Sequence, residues 1–370
     1  MKALKDYHAK KKPIHCGMTV HSTIGCSYRC IYCYIPDMGI SYSEAKPYGL
    51  TEEEMTYALI KNPYFLPGRL GTYIAIGSVG EPFYELSTDK TIRYIAAFAK
   101  YLHNPIQFST KSFITEEIAR RLASIKGSPL SPLVTIITLE KSKKLEPKAP
   151  SPQERFEGIR NLKKVGLYPL LFLRPIIPGV NDVEAAEIMK EAKRNGAVGV
   201  VIGGFRVTGA ILLRLKKVGI DISKLKSRLR GNAKDRKQVS IELSDIKNTL
   251  IDEAKRVGIV PFLTACCGNT YTAYLSDGKR VPCAGLDFID GKFCTRCPVE
   301  CKNIKTKIEI DEVKRSLDVF LKVKVKKIEV DDHTMKVFSN EKKTIRILRK
   351  TAVRSIIETA YRKRVLTIYE

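Results

Sequence analysis

The stretch "MTVHSTIGCSYRCIYC", residues 18–33, joins a predicted β-strand to three closely spaced cysteines. Its first seven residues are apolar or β-branched at most positions, which indicates a strand. Cys26, Cys30 and Cys33 follow directly, and the next cysteine along the chain is Cys266. Three thiols in eight residues predict a metal site and not a disulfide framework. The loop after the first strand is therefore where we expect the chemistry.

Five further apolar runs predict strands. Their near-continuous apolar character is typical of parallel strands buried on both faces. They are "TYIAIG" (72–77), "IQFST" (106–110), "LVTIITL" (133–139), "YPLLFLR" (168–174) and "VGVVIGG" (198–204). Helical patterns separate these runs, and two begin with capping boxes, Thr51 with Glu54 and Ser151 with Glu154. Other helices are predicted at 88–102, 115–125, 183–194 and 245–257.

Six strand–helix units in succession predict an α/β fold. A full barrel has eight units, so we expect a partial (β/α)6 barrel with its chemistry at the carboxyl ends of the strands. A composition change near Cys266 predicts a smaller cysteine-rich and basic α+β unit, with a helical pattern over 342–364. The predicted division is a basic tail (1–15), the barrel (16–265), a cysteine-rich region (266–301) and a basic α+β region (302–370).

The charge of the chain predicts a polyanionic partner. Its 370 residues include 65 Lys and Arg against 39 Asp and Glu, a net charge of +26. Ion-paired surface networks would leave the charge near balance, so nucleic acid is the favoured partner. The expected contact residues are Lys226, Arg228, Arg230, Lys234, Arg236, Arg346, Arg349, Lys350 and Arg354. A solvated helix face is the ordinary alternative for such basic runs.

Nothing in the sequence predicts a membrane location. No apolar run approaches the ~18 residues of a membrane span, and the basic start lacks the apolar stretch of a secretory signal. Clustered thiols fit a reducing compartment. We therefore expect a cytoplasmic protein with no membrane partner.

The first cysteine group fits an iron–sulfur cube. Cys26, Cys30 and Cys33 would bind three irons of a [4Fe-4S] cluster and leave the fourth open to a substrate or cofactor. Structural zinc is the alternative, but it takes four ligands. No fourth ligand lies nearby, because His21 belongs to a predicted strand and is interpreted as a packed histidine.

The spacing C-x3-C-x-φ-C, formed by Cys26, Cys30, Tyr32 and Cys33, resembles that of the radical SAM superfamily. The resemblance implies that the open iron binds S-adenosylmethionine (SAM). It also implies reductive cleavage of SAM to methionine and a 5′-deoxyadenosyl radical, which abstracts hydrogen from the substrate. An electron donor such as ferredoxin or flavodoxin is implied as well.

Further positions resemble cofactor-binding elements of that superfamily. "GSVGEP" (77–82) is similar to its "GGEP" element, which orders the methionine amino group, and polar residues end the third and fifth strands. The cofactor-binding residues implied in this way are Tyr32, Gly80, Glu81, Pro82, Ser109, Lys111 and Arg174. A capping or loop role is the alternative for each.

Residues 16–205 resemble the spore photoproduct lyase and DNA repair photolyase-like branch of the superfamily. The stretches "FSTKSFIT", "LEPKAPSPQERFEGIRNLKKVGL" and "RPIIPGVND" carry the resemblance. A lyase of that branch uses a cysteine within the barrel to return a hydrogen atom. This chain has no cysteine between Cys33 and Cys266, so thymine-dimer repair is not predicted.

A second cysteine group predicts a second metal site. It comprises Cys266, Cys267, Cys283, Cys294, Cys297 and Cys301. The last four could hold an auxiliary [4Fe-4S] cluster of the kind many radical SAM enzymes carry, with Cys266 or Cys267 replacing one of them. A zinc ribbon is the alternative, because "CTRC" is a C-x2-C knuckle.

Together these features predict a radical SAM enzyme that acts on nucleic acid, with RNA such as tRNA favoured and DNA second. One alternative is a radical SAM enzyme that modifies a peptide or small metabolite. Another is a non-enzymatic iron–sulfur or zinc module that binds nucleic acid. The sequence does not identify the reaction or a catalytic residue.

Overall fold

Seven parallel strands form the central sheet of the computed structural model, which describes residues 1–13 and 17–370. The strands are hydrogen-bonded in the order in which they occur in the chain. They are β1 (Gly17–Val20), β2 (Tyr73–Ile76), β3 (Ile106–Thr110), β4 (Leu130–Thr135), β5 (Leu170–Leu173), β6 (Gly199–Ile202) and β7 (Val260–Phe262). The predicted boundary between residues 15 and 16 lies outside the described residues. The parallel α/β fold of a partial barrel is confirmed.

Helices connect the strands and pack on one face of the sheet. The longer helices of the barrel region are α1 (Glu52–Lys61), α2 (Thr88–Tyr101), α3 (Glu116–Ser124), α4 (Pro152–Lys164), α5 (Ala185–Arg194), α6 (Gly209–Lys217) and α7 (Ser244–Val257), and one-turn helices form at Ser142–Leu145 and Ser223–Lys226. Both predicted capping boxes are present. The Thr51 hydroxyl accepts the Glu54 N–H at 3.2 Å, while the Glu54 carboxylate accepts the Thr51 N–H at 2.9 Å. Ser151 and Glu154 repeat this arrangement.

The seventh strand was not predicted from the sequence. β7 has only three residues, pairs with β6 alone, and contains Pro261 at its centre. Proline has no N–H to donate to a ladder and is therefore tolerated best on edge strands. The same proline removes the usual sequence signal of a strand, so a count of six was one too few.

Helix α8 (Ala265–Asp277) covers the inner face of the sheet. Successive side chains of a strand point to opposite faces. Leu171 and Val200 accordingly belong to the main core beneath the flanking helices. Their neighbours Leu170 and Val201 pack in a second core with α8 and the cysteine-rich region. Gly268 permits this contact, since a Cβ there would lie 2.8 Å from Leu170 Cδ1.

The carboxyl-terminal unit has a sheet of its own. Its elements are α9 (Ile310–Leu321), β8 (Lys327–Val330), β9 (Thr334–Ser339), α10 (Lys342–Leu348), α11 (Thr351–Tyr361) and β10 (Arg364–Tyr369). β8 pairs with β9 in antiparallel fashion, and β10 pairs with β9 in parallel. A third core, which includes Leu317, Met335 and Val337, holds the unit together.

The helical pattern predicted over 342–364 forms two helices and not one continuous helix. Lys350 has extended backbone and separates α10 from α11, while Arg362, at φ +53°, ends α11 in the left-handed region. β10 then follows, because the β-branched and aromatic residues of "RVLTIY" favour a strand. Among the described residues, none of the helices is both long and apolar enough to cross a membrane.

Candidate functional site

The loop that carries Cys26, Cys30 and Cys33 lies at the carboxyl end of the sheet, beside the loop after β2. Gly25 forms an isolated parallel bridge with Gly80, and its N–H donates to the Val79 carbonyl at 3.0 Å. Neither glycine could carry a side chain. A Cβ on Gly25 would lie 2.1 Å from the Glu44 carbonyl oxygen, and one on Gly80 would lie 2.7 Å from that of Thr23. The predicted Gly80 position is therefore a close backbone contact with the cysteine loop.

The three thiols of this loop lie in a poorly hydrated environment. Cys30 is buried, while Cys26 and Cys33 are half-buried. Burial raises the pKa of Cys26 to about 12 and, together with nearby negative charge, raises the pKa values of Cys30 and Cys33. Thiolates here need a cation to stabilise them. An iron–sulfur cluster supplies that cation, so the donor set fits such a group.

Tyr32 connects the cysteine loop to a buried ion pair. Its hydroxyl donates a hydrogen bond to Oε1 of Glu146, whose Oε2 lies 2.6 Å from Nη1 of Arg155. The Glu146 and Arg155 side chains are almost completely buried. Arg155 also donates to the carbonyls of Pro150 at 2.8 Å and Thr135 at 3.0 Å. Tyr32 thus fixes one side of the loop to the start of α4.

Arg214, on α6, holds the other side of the loop. Its guanidinium donates to the carbonyl oxygens of Ile31 at 3.0 Å and Cys33 at 2.6 Å. It also pairs with Asp37, whose carboxylate accepts the Thr208 hydroxyl at 2.6 Å. The cysteine loop is therefore held between two elements that are far apart in the sequence.

Glu81 is buried and fully hydrogen-bonded by its own chain. Its carboxylate accepts the Thr110 hydroxyl at 2.5 Å, the Lys111 N–H at 2.9 Å and the Phe83 N–H at 3.2 Å. Burial raises the pKa of Glu81 despite these bonds. The carboxylate joins the carboxyl ends of β2 and β3. A contact of Glu81 with SAM stays a prediction.

The other predicted cofactor-binding residues surround the same end of the sheet. The Ser109 hydroxyl donates to the Gly77 carbonyl at 3.3 Å. The Thr91 hydroxyl donates a hydrogen bond to the Pro82 carbonyl oxygen at 2.6 Å. Lys111 Nζ lies over the Tyr32 ring, 5.5 Å from its centre. Burial opposes the charge of Lys111, but negative charge at Cys30 and Glu146 outweighs it and raises the Lys111 pKa.

Arg174 is an exposed cation at the end of β5. Its guanidinium lies 5.9 Å from the centre of the Phe172 ring. Gly203 makes room for it, since a Cβ at Gly203 would lie 2.4 Å from Arg174 Cδ. In the described part of the chain, no carboxylate forms an ion pair with Arg174. It remains available to an anionic group of a ligand.

Sequence reasoning missed Glu146, Arg155, Arg214 and Asp37. One signal was present for Arg155. It belongs to the same apolar stripe of α4 as Ile159 and Leu162, spaced at four and seven residues. A charge at such a position requires a buried partner. The partner could not be identified, because Glu146 lies in an irregular segment before the helix.

The second cysteine group also comes together in space. The Cys283 N–H donates to the Cys301 Sγ at 3.4 Å, and Cys267 packs in the same core as both residues. The neighbouring thiols of Cys267 and Cys301 lower the pKa of Cys283, whereas those of Cys266 and Cys283 raise the pKa of Cys267. Cys294 and Cys297 pack against the same core.

Asp287 joins this group although the sequence did not indicate it. The ligand atoms of Asp287, Cys266 and Cys267 all lie within 4.8 Å of one another. Burial, and then the negative charges of Cys266 and Cys283, raise the pKa of Asp287 to about 7. Thiols and a carboxyl group in such proximity are a donor set suited to a metal centre.

The two cysteine groups lie at opposite ends of the barrel strands. The first group contacts the carboxyl ends of β2 and β3 through the Gly25–Gly80 bridge and Glu81. Cys266 instead lines a small cavity with Tyr73 and Pro105, which lie at the amino ends of those strands. The carbonyl of Ala265, next to Cys266, accepts a hydrogen bond from Gln107 at 3.0 Å.

The predicted nucleic-acid contacts divide into paired and unpaired cations. Arg228 forms a bidentate pair with Asp245 at 2.6 Å, Arg230 pairs with Glu242, and Arg354 lies 4.0 Å from Glu358. Within the described residues, the remaining predicted cations form no ion pair. They are Lys226, Lys234, Arg236, Arg346, Arg349 and Lys350.

Comparison with known proteins assigns residues 20–192 to the sequence profile of the radical SAM superfamily. An uncharacterised protein of Acidianus two-tailed virus is 26% identical over 183 residues, which cover 45% of this chain and 58% of the relative. An uncharacterised protein of Methanocaldococcus jannaschii is 28% identical over 189 residues, 47% of this chain and 68% of the relative. The chain thus spans less than two thirds of the viral relative's length.

Solved structures of spore photoproduct lyase share the fold. A cysteine-to-serine variant aligns over 66% of this chain and 75% of the lyase, with a TM-score of 0.52 and 17% identity. The lyase in complex with dinucleoside spore photoproduct aligns over 65% and 74%, with a TM-score of 0.51 and 17% identity. At these identities the likeness concerns the fold alone.

The Glu146–Arg155 pair gives a prediction about stability. Glu146→Ala leaves a buried guanidinium and the Tyr32 hydroxyl without their partner, so we expect the free energy of unfolding to fall by about 3–5 kcal/mol. The measurement is urea unfolding of anaerobically purified protein. Glu116→Ala is the matched control, because its partners Arg120 and Lys164 are exposed; its loss should stay below about 1 kcal/mol. Equal losses in the two variants would contradict the structural role of the pair.

Proposed function

We propose that this chain, whose residues 20–192 are a radical SAM domain, is an enzyme that reductively cleaves SAM and abstracts hydrogen from a nucleic-acid substrate. The observation that carries the proposal is the convergence of three buried or half-buried thiols, Cys26, Cys30 and Cys33, at the carboxyl end of a partial barrel. When bound, a [4Fe-4S] cluster and SAM supply one-electron reduction of the sulfonium and a 5′-deoxyadenosyl radical.

The chain's own residues position and enclose this site. Cys26, Cys30 and Cys33 would hold the cluster, and the bonds of Tyr32 and Arg214 fix the loop before any ligand binds. Such preorganisation means that little ordering accompanies cofactor binding. The Glu81 carboxylate accepts two backbone N–H groups and the Thr110 hydroxyl, which fixes the loop after β2. We include in the proposal that Gly80, Glu81 and Pro82 contact SAM.

Cations near the site suit the anionic groups of a ligand. Lys111 lies over Tyr32 beside the cysteine loop, and Arg174 is exposed without an ion-pair partner in the described residues. A carboxylate or phosphate could accept two parallel hydrogen bonds from the Arg174 guanidinium. With Ser109, these residues complete the proposed cofactor and substrate contacts.

Nucleic acid is the proposed substrate class, with RNA first and DNA second. The net charge of +26 supports a polyanionic partner, since each phosphate contact releases condensed counterions. One lyase that shares the fold was solved with a dinucleoside photoproduct, which supports the same class. A one-electron donor such as ferredoxin or flavodoxin and a cytoplasmic location complete the proposal, because reduced thiols require a reducing compartment.

The second cysteine group is proposed to hold an auxiliary [4Fe-4S] cluster. Cys266 of this group lies at the amino ends of β2 and β3, away from the carboxyl end at which barrel enzymes bind substrate. We therefore propose that this centre stabilises the packing of α8 and the cysteine-rich region, or passes an electron, and does not contact the substrate.

The first prediction for this function concerns SAM cleavage. Anaerobically reconstituted protein reduced with dithionite should form 5′-deoxyadenosine, and a variant with Cys26, Cys30 and Cys33 changed to Ala should form none, because its cluster has no ligands. Cys16→Ala is the control and should keep the activity. Chromatography of the products measures the outcome. Equal product from the triple variant would refute the radical SAM chemistry.

A second prediction concerns metal content. Iron in the wild-type chain should approach two cubes, and the triple variant of the first group should keep about half of it through the remaining thiolates. Changing Cys267, Cys283 and Cys301 to Ala should remove the other half and leave dithionite-driven SAM cleavage intact. Elemental analysis of iron and zinc makes the measurement. If the variant that lacks Cys26, Cys30 and Cys33 instead retains one zinc per chain and no iron, the second cysteine group is a zinc site and not an auxiliary cluster.

A further inference from the structure

A cationic groove lies in the carboxyl-terminal unit, between α10 and the end of β10. Its volume is about 440 Å³. It is lined by Lys342, Ile345, Arg346, Arg349, Lys350 and Tyr369. The break between α10 and α11 creates it, because Lys350 leaves the helical path there and faces the groove together with Arg349.

The charge of this groove is not compensated by the protein. Four of the lining residues are cations and none is acidic, and across the described ranges none of these cations forms an ion pair. Arg349 donates to the Thr367 hydroxyl at 2.9 Å and to its carbonyl at 3.4 Å. Both acceptors are neutral, so the guanidinium is held in place with its charge intact. Such a fixed cluster attracts a multiply charged anion.

The groove also offers an aromatic surface. Tyr369 is 53% exposed at the end of β10, and Ile345, which is 5% exposed, provides an apolar base. The backbone of Tyr369 is paired with Ser339 in the β9–β10 ladder, so the ring is attached to a fixed element. Aromatic rings beside cations are how proteins bind single strands, whose bases have faces free to stack. Duplex bases are stacked on each other and do not use such a surface.

We propose that this groove binds a single-stranded segment of nucleic acid, with phosphates on the cations and one base stacked on Tyr369. The proposal rests on the proposed nucleic-acid substrate and deepens it, because it assigns strand binding to the carboxyl-terminal unit and hydrogen abstraction to the barrel. Contacts to phosphates and to a base face carry no sequence code. The groove therefore positions a strand and does not select its sequence.

The test compares two triple variants with the same loss of charge. One changes Arg346, Arg349 and Lys350 to Ala. The control changes Arg120, Arg194 and Arg256 to Ala, three exposed arginines that pair within their own helices. Each removes three positive charges from a net charge of +26. Fluorescence anisotropy of a labelled oligonucleotide of about 15 residues, near the upper site size of strand-binding folds, reports affinity as salt is varied.

The groove variant should bind the single strand at least about tenfold more weakly than wild type, and its log–log salt slope should be shallower by about 2. The control should stay within about twofold of wild type. Tyr369→Ala should weaken single-strand binding by about fivefold to 150-fold, the equivalent of one stacked base. Tyr369→Phe keeps the ring and should bind as wild type does, and duplex binding should not respond to either change.

The outcomes separate this inference from the proposed function. A groove variant that binds the single strand as tightly as the control, while wild type binds it well, overturns the groove and leaves a nucleic-acid substrate standing. If the wild-type chain cleaves SAM but binds neither single-stranded nor duplex nucleic acid at low salt, both the groove proposal and the proposed nucleic-acid substrate are overturned. Formation of 5′-deoxyadenosine without substrate should be the same in all variants, since none of the changed residues lies at the cysteine loop.

Discussion

The contact of Glu146 with Arg155 and Tyr32 is the constraint on which the site depends. A carboxylate and a guanidinium this deeply buried are stable only as a pair with further hydrogen bonds, and the carbonyls of Pro150 and Thr135 supply them. By accepting the Tyr32 hydroxyl, the pair ties the cysteine loop, which belongs to the start of the chain, to the fourth helix of the barrel. Arg214 does the same from the sixth helix. The loop is thus positioned by the completed barrel and not by its own sequence.

This arrangement also explains why Tyr32 is placed within the cysteine motif. Lys111 Nζ lies over one face of its ring, and its hydroxyl reaches the buried carboxylate. Burial raises the pKa values of Cys26, Cys30 and Cys33, and the Lys111 charge opposes this by lowering them. The ring therefore contacts a cation that favours thiolates in the cysteine loop. The resemblance at the sequence level identified this position, and the structure supplies a physical reason for an aromatic residue that also carries a hydroxyl group.

The sequence predicted much of the fold because its signals were local. The apolar runs at 72–77 and 106–110 became β2 and β3, and both capping boxes form as expected. The failures occurred where tertiary contacts decide the structure. β7 exists because β6 presents an edge to pair with, although Pro261 weakens its own signal. The pattern over 342–364 is helical by periodicity, but pairing with β9 turns its last residues into a strand.

The site could be predicted only in part for the same reason. Cys26, Cys30 and Cys33 lie within eight residues of the sequence. Their spacing could therefore be recognised without the structure. Asp287, in contrast, meets Cys266 and Cys267 only after the chain has turned across the sheet, and no spacing rule connects them. The basic runs also predicted more unpaired cations than the fold leaves, because Arg228 and Arg230 form ion pairs with Asp245 and Glu242, which the fold brings to them.

Helix α8 occupies the inner face of the partial barrel. Because Gly268 lets the helix press against Leu170 and Val201, the inner face of the strands is filled from the amino end. The space that remains for a ligand of the cysteine loop therefore lies towards the carboxyl ends of the strands. For the proposed nucleic-acid substrate, a base turned outward from its neighbours suits this geometry better than a strand threaded along the barrel axis.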